Sequence, residues 1–336
     1  MPDKFLDLSK GDQKQALGVA STKSGRPSHL LEKDVWVVWA LGALFASPYA
    51  GSLVFKGGTS LSKAYNAIQR FSEDVDVTYD IRALAPDLVK GAPDALPKNR
   101  SQQDKWSKEI KIQRLPAWIE NDLLPFMHAR LSGLPARAIA DKGRLSIVIE
   151  YEALTAGTGY VAPRVLLEFG ARSTGEPWSA RDVSCDAAEH LSTLIFPACR
   201  PRVMRIERTF WEKATAMHVY CNKGRWSGQR FSRHWYDLSQ LAGLAYANEA
   251  LSRRDWAADV AQHKSCFFVE KDSGGKAIDY HAAVEGHLCL VPSGQALTYL
   301  QKDYQLMVAD GLISGEAPAF DTIMSKCESL QRAANS

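Results

Sequence analysis

No run of 18 or more apolar residues occurs in this chain of 336, so a membrane-spanning helix is not expected. The first twenty residues hold no apolar core of the kind a secretory leader carries, which points to a cytoplasmic protein. The six cysteines (Cys185, Cys199, Cys221, Cys266, Cys289 and Cys327) include no CxxC pair. A disulfide framework and a thiolate zinc site are therefore both disfavoured, and reduced thiols suit the same compartment. Net charge is scarce as well: 41 Lys and Arg stand against 38 Asp and Glu, leaving +3. That is too little to announce nucleic-acid binding over the whole surface, so any basic patch must be local. His281 and His287 are six apart, not the i, i+4 pair of a helical metal site. Internal repeats and low-complexity runs are missing too. What remains is an ordinary globular composition, 46% hydrophobic and 24% charged. The length suits two domains, or one with a large insertion, and is enough to bury a full core.

The chain is organised around Leu53–Tyr79, LVFKGGTSLSKAYNAIQRFSEDVDVTY. It reads as a buried strand over Leu53–Lys56, a Gly57-Gly58 turn, a short helix over about Ser60–Ile68, and a second strand from Asp74. At a strand-to-helix turn of this kind the backbone can approach an anion, with helix N–H groups and the hydroxyls of Thr59 and Ser60 directed at it. Lys56 and Lys63 flank the turn. Strand residues alternate faces, so Asp74, Asp76 and Thr78 share one side, opposite Val75, Val77 and Tyr79. Two carboxylates on one face beside a phosphate-binding turn suit a divalent metal carrying a nucleotide. The blander reading is a solvated acidic loop after a glycine turn.

Before this stretch, Leu30–Ala46 is expected to be a buried helix, with Ser28 as N-cap, Glu32, Lys33 and Asp34 filling its first turn, and Trp36 and Trp39 in the core. After it, residues 81–143 read as an inserted helical segment, periodic over Ser101–Leu131 but interrupted near Pro116 and Pro125. A solvated cover is favoured there over a lid or acceptor-binding element. Two strands follow, Arg144–Leu154 and Val161–Ala171. Two-metal chemistry needs a third carboxylate, and Glu150, Glu152 and Glu168 are the candidates. Glu168 sits in a strand so apolar that burial demands a cation partner. Residues 173–202 read as loop. In the helix Ile206–Tyr220, Lys213 falls in the stripe of Ile206, Phe210, Met217 and Tyr220. It either snorkels or holds its amine toward a triphosphate. Residues 221–235 form the basic patch with interleaved aromatics: Lys223, Arg225, Arg230, Arg233 and His234 with Trp226, Phe231 and Trp235. That mixture suits phosphates and stacked bases, and also an exposed loop. Asp237 opens the next helix, and residues 245–336 read as mostly helical without recognisable chemistry.

The string FKGGTSLSKAY, continued by RFSEDVDV, resembles the AbiEii/AbiGii toxin-like branch of the nucleotidyltransferase superfamily, the fold shared by DNA polymerase β and the tRNA-maturing transferases. LLEFGARS resembles the family's third-carboxylate strand, which selects Glu168 over Glu150 and Glu152. ERTFWEKA resembles its Arg-Glu-x-x-Lys-type helix. The match is to Lys213, although Glu207 precedes Arg208 here and the lysine follows five residues on. The stretch from Arg233 to Leu241 resembles its Asp-Leu-x-x-Leu helix, matching Asp237. The resemblance spans roughly Leu30–Leu241. It implies an α/β fold: a polymerase β-like nucleotidyltransferase core with a mixed sheet over 1–200, including the insertion, and a helical C-terminal domain over 201–336. It implies transfer of a nucleoside monophosphate from an NTP to RNA, such as a tRNA 3′ end, by the toxin of a toxin–antitoxin or abortive-infection system with a cognate antitoxin protein. Two Mg²⁺ ions would sit on Asp74, Asp76 and Glu168, with Lys213 adding charge. Lys56, Gly57, Gly58, Thr59, Ser60, Lys63 and Asp237 would hold the NTP, and Arg225, Trp226, Arg230 and Arg233 the acceptor. Transfer to a protein side chain and a catalytically inactive nucleotide-binding module are the alternatives. The intact carboxylates and lysine argue against the second.

Overall fold

The structure is a computed structural model and describes residues 2–141, 143, 145–155, 157, 161–223 and 230–336. The chain forms two compact units. The first comprises 1–64, 71–95 and 105–204; the second comprises 65–70, 96–104 and 205–336. The division falls after Met204, and the two short segments given to the second unit are not anticipated by a contiguous split at 200.

The first unit is built on a mixed seven-stranded sheet. In chain order its strands are β1 (Leu53–Lys56), β2 (Asp74–Asp80), β3 (Ala136–Asp141), β4 (Ser146–Tyr151), β5 (Arg164–Ser173), β6 (Trp178–Ala180) and β7 (Arg202–Met204). Their order across the sheet is β3-β4-β5-β2-β1-β7-β6. The pairs β5–β2 and β1–β7 are parallel and the others antiparallel. β1 matches its expected bounds and β2 its expected start at Asp74. β3, β6 and β7 fall in stretches read as insertion or loop, because strands this short or this polar leave no clean alternation.

One face of the sheet is packed and the other half-open. Val75, Val77, Ile147, Ile149, Leu167 and Phe169 are buried on the packed face. Helix α1 (Lys10–Ser24) precedes α2 (Ser28–Phe45), which stacks Trp36 on Tyr151 with ring centroids 5.3 Å apart. Pro27, not Ser28, precedes the first turn of α2, and Ser28 is already helical. The helical stretch over 105–131 also packs here. Its Trp118 ring lies edge-on to Phe169 at 5.3 Å and beside Tyr79 at 4.7 Å. It is therefore a structural layer and not a solvated cover. Wide π turns at Ile110–Arg114 and Ile119–Leu123 sit where Pro116 and Pro125 each remove a backbone donor four residues on.

The second unit is helical. Helices α4 (Ile206–Lys223) and α5 (Ser232–Leu241) lead it, followed by Ala245–Ser252, Arg254–Phe267, Gly294–Ala309 and Phe320–Asn335. Its two large buried indoles are satisfied through carbonyls: Trp211 Nε1 donates to Ala250 O at 2.8 Å and Trp235 Nε1 to Leu290 O at 2.7 Å. Among the described residues, no helix of either unit is long and apolar enough to cross a membrane.

Candidate active site

The turn between β1 and β2 is set by one close approach. Gly57 takes a left-handed φ of +81°, and a Cβ built there would stand 2.0 Å from Asp76 Oδ2. Only glycine admits both the conformation and the carboxylate. Helix α3 (Gly57–Lys63) starts at this residue. Thr59 and Ser60, expected to aim hydroxyls at a phosphate, are fully buried. The Thr59 hydroxyl bonds the Asp74 carbonyl and lies 2.9 Å from Ser72 Oγ, while Ser60 Oγ donates to Gly57 O at 2.8 Å. Each hydroxyl spends its proton inside the fold, stitching the turn to β2. What the turn itself retains toward a ligand is backbone.

The sheet register assembles the carboxylates. Asp76 pairs laterally with Lys56 on one side and with Glu168 on the other, and Glu168 pairs with Ser146. Lateral partners share a face, so Lys56, Asp76, Glu168 and Ser146 form one row across four strands on the half-open side. Asp74 lies on the same face, two residues along β2. Of the three candidate glutamates, only Glu168 stands in register with Asp76. Glu150 is held by Arg137 at 2.7 Å and Glu152 by Lys10 at 2.7 Å, both in exposed ion pairs.

The Lys63 amine is buried between Asp34 Oδ1 at 2.6 Å and Asp186 Oδ1 at 2.5 Å. Burial alone would lower its pKa, but the two carboxylates win and hold it raised. Asp34 also accepts from the Asp186 N–H at 2.6 Å, and Asp186 pairs with Arg26. In this arrangement the amine ties α3 to Asp34 and Asp186.

The first turn of α2 was the least readable part of this unit. Glu32, Lys33 and Asp34 are all buried. Glu32 accepts from the Leu154 N–H at 2.8 Å and from Thr155 Oγ1 at 3.1 Å. Lys33 pairs with Glu73 at 2.5 Å and donates to Ala162 O at 3.0 Å. Its pKa is lowered by burial, against the pull of Glu73 and of Asp74 nearby. Three consecutive charges thus tie α2 to several separate segments, one of them the approach to β2. Their place at the head of a helix that is otherwise apolar all round was the available signal.

In the second unit, Lys213 Nζ lies 2.8 Å from Asp237 Oδ2. Arg70 grips the same carboxylate with two bonds, Nε to Oδ1 at 2.6 Å and Nη2 to Oδ2 at 2.8 Å. Burial would raise the Asp237 pKa; Arg70 and Lys213 reverse this and hold it well below the usual carboxylate range. Arg70 was not singled out in the sequence. Arg230 turns through a φ of +73°, and its N–H donates to Asp303 Oδ1 at 2.6 Å. Arg233 Nε donates to the Arg230 carbonyl at 3.2 Å. Arg225 and Trp226 lie outside the described residues.

Among the described residues, no three His, Cys, Asp or Glu side chains converge as a ready-made metal cluster. The backbone does align the donors: three carboxylates on one sheet face, hard oxygens of the kind Mg²⁺ prefers, with the missing Cβ of Gly57 leaving room for one of them. That donor set, on one face of a fixed register, fits a divalent cation in kind. A cavity of about 460 Å³ opens elsewhere in the unit, lined by Leu6, Trp39, Arg130 and Phe196 among others. None of the three carboxylates lines it.

A family profile described as nucleotidyl transferase AbiEii toxin, type IV TA system, matches residues 39–326. No curated protein matches the chain. Among solved structures it is similar to MenT4, a nucleotidyltransferase toxin from Mycobacterium tuberculosis H37Rv, at 15% identity and a TM-score of 0.42, over 97% of this chain and 98% of that one. It is also similar to JHP933 from Helicobacter pylori, at 15% identity and a TM-score of 0.35, over 96% and 92%.

Proposed function

The chain belongs to the AbiEii family of nucleotidyltransferase toxins of the type IV toxin–antitoxin system, and from that premise we propose that it moves a nucleoside monophosphate from an NTP to an RNA acceptor, such as a tRNA 3′ end, with Asp74, Asp76 and Glu168 as the catalytic carboxylates. The observation that carries this reading is the row in which Asp76 stands laterally between Lys56 and Glu168, against Gly57. In the transfer, an acceptor hydroxyl oxygen bonds to the α-phosphorus, the bond from that phosphorus to the bridging oxygen breaks, and pyrophosphate leaves. Asp74, Asp76 and Glu168 would hold Mg²⁺. When bound, the cation supplies Lewis-acid charge that makes the hydroxyl more acidic and stabilises the leaving pyrophosphate. Glu168, the carboxylate further from Lys56, takes the hydroxyl proton. Lys56 sets a positive charge beside Asp76, toward the turn, where the NTP phosphates meet the backbone of Gly57 and Gly58.

The test is incubation of the purified protein with each labelled NTP, Mg²⁺, total cell RNA and cell protein, followed by gels for both. Label in RNA, lost in Asp76→Asn and on chelation, is the expected result. Label in protein alone would replace RNA by a protein acceptor. Label in neither, with NTP still bound, would leave a nucleotide-binding module.

A further inference from the structure

We propose that Ser146 is a positioning residue of this site, donating its hydroxyl to the Glu168 carboxylate in the working enzyme. The inference rests on the reading of Asp74, Asp76 and Glu168 as the catalytic carboxylates. Its ground is an orphaned atom. Ser146 is 0% exposed, and its Oγ is buried without a hydrogen-bond partner among the described residues. Buried hydroxyls are nearly always paired, and one that is not calls for an explanation. The register supplies one. Ser146 is the antiparallel partner of Glu168, at the end of the row that runs through Asp76 to Lys56.

The pairing is also of the closer kind. The Phe169 N–H donates to the Leu145 carbonyl at 3.0 Å, so Leu145 and Phe169 are the hydrogen-bonded pair of the ladder. Ser146 and Glu168, one step along, are then a non-hydrogen-bonded pair, in which side chains approach most closely. Leu145 holds a left-handed φ of 54°, which is uncommon for leucine, immediately before Ser146 enters the strand. A serine hydroxyl has one proton to give, and an ionised carboxylate only accepts. A bond from Ser146 occupies one oxygen of Glu168 and fixes the plane of the other, which is the oxygen offered to a cation. Partners of this kind orient metal-holding carboxylates, and their loss costs affinity or rate.

The experiment compares the full-length wild type with Ser146→Ala, Ser146→Cys and Ser146→Thr, and uses Asp76→Asn and Glu168→Gln as controls. Mn²⁺ binding is read by electron paramagnetic resonance without NTP, labelling is read as kcat and KM, and thermal melting is recorded. Ser146→Ala is expected to bind Mn²⁺ about tenfold more weakly and to lose kcat by a similar factor, with KM for NTP unchanged. Ser146→Thr, which keeps the hydroxyl, should recover most of both, and Ser146→Cys should fall between. A hydroxyl with no part in the site predicts another pattern: Ser146→Ala binds Mn²⁺ and turns over like wild type, whatever its melting temperature. That result, with both carboxylate controls inactive, overturns the proposal and leaves the site standing. Should Asp76→Asn and Glu168→Gln keep Mn²⁺ binding and labelling, the carboxylate reading fails and takes Ser146 with it. If Ser146→Ala does not fold, the Cys and Thr variants decide by the same two readouts.

Discussion

The carboxylate of Asp76 rests on the bare α-carbon of Gly57, with no room between them for a methyl group. This contact makes the glycine a test of the site that touches no ionisable group. In Gly57→Ala the left-handed backbone costs about 1–2 kcal/mol, and the Asp76 carboxylate must swing away. Labelling should fall by about a hundredfold, since misplacement on the order of 1 Å has that effect. Melting should drop only a few degrees. Gel labelling beside a melting curve checks the split.

The three glutamates should separate cleanly. Glu168→Gln is expected to abolish transfer. Glu150→Gln and Glu152→Gln remove exposed ion pairs with Arg137 and Lys10, each worth about 0–1 kcal/mol. Both variants should label within about twofold of wild type and melt like it, because such surface changes sit within ±0.5 kcal/mol. Activity surviving in Glu168→Gln but lost in Glu150→Gln would move the third carboxylate along the sheet.

Lys63 should behave as a structural residue. Lys63→Met strands Asp34, which keeps its other bond only to the Asp186 N–H. Losing one partner of a buried ion pair costs about 3–5 kcal/mol. The expected result is a large fall in denaturant midpoint with KM for NTP unchanged in the protein that remains folded. A raised KM with normal stability would restore Lys63 to the nucleotide.

The clamp of Arg70 and Lys213 on Asp237 sets an acid limit. The folded pKa of Asp237 is depressed, so the unfolded chain binds the proton more readily. Its contribution is therefore complete above the unfolded value of about 3.9 and is lost as pH falls through the lower folded value. Asp237→Asn should be destabilised by about 3–5 kcal/mol near neutrality and lose less further stability on acidification. Lys213→Ala leaves Asp237 its two bonds from Arg70 and should melt higher than Asp237→Asn. Urea melts from pH 7 to pH 3 measure both. Any loss of NTP use in Lys213→Ala beyond its loss of stability is the share owed to the triphosphate.

His218 adds a second and earlier pH dependence. Its Nδ1 accepts the Cys289 N–H at 3.0 Å, and burial pushes its pKa down to about 4. The unfolded ring titrates near ~6.5, so stability is intact above that value and falls as pH drops toward about 4. One proton over that interval is worth up to about 3 kcal/mol. His218→Gln should flatten the slope between pH 6.5 and 4, although it lowers stability at pH 7.

Local features were legible and distant pairings were not. β1, the glycine turn and β2 could be read because strand length, turn chemistry and face alternation are all properties of one short stretch. Glu168 came into register with Asp76 through a parallel pairing of β2 and β5, which nothing near either residue encodes. Sequence alone left it among three glutamates until the family resemblance selected it. The ion pairs of Lys63 are hidden for the same reason: its neighbour in sequence is a phosphate-type turn, and its partners Asp34 and Asp186 lie far along the chain. Glu32, Lys33 and Asp34 are legible as first-turn charges of a helix, but their burial and their distant partners are not. Ser146 carried no signal, because a serine at the start of a strand is unremarkable until its row is known.

The wide turns before Pro116 and Pro125 make one segment sensitive to its own length. Trp106, Ile110, Leu115, Ile119, Leu123, Met127 and Leu131 are all buried, at spacings of four and five residues. A regular coil advances about 100° per residue, so such spacings would wind the apolar side away from the sheet. Each wide turn takes up one surplus residue and keeps that side facing inward. Removing a single residue from 110–114 would turn everything after it by about 100°, carrying Trp118 off Phe169 and Tyr79. The exposed Ile112 in the middle of that turn can change identity freely, but the number of residues there cannot change.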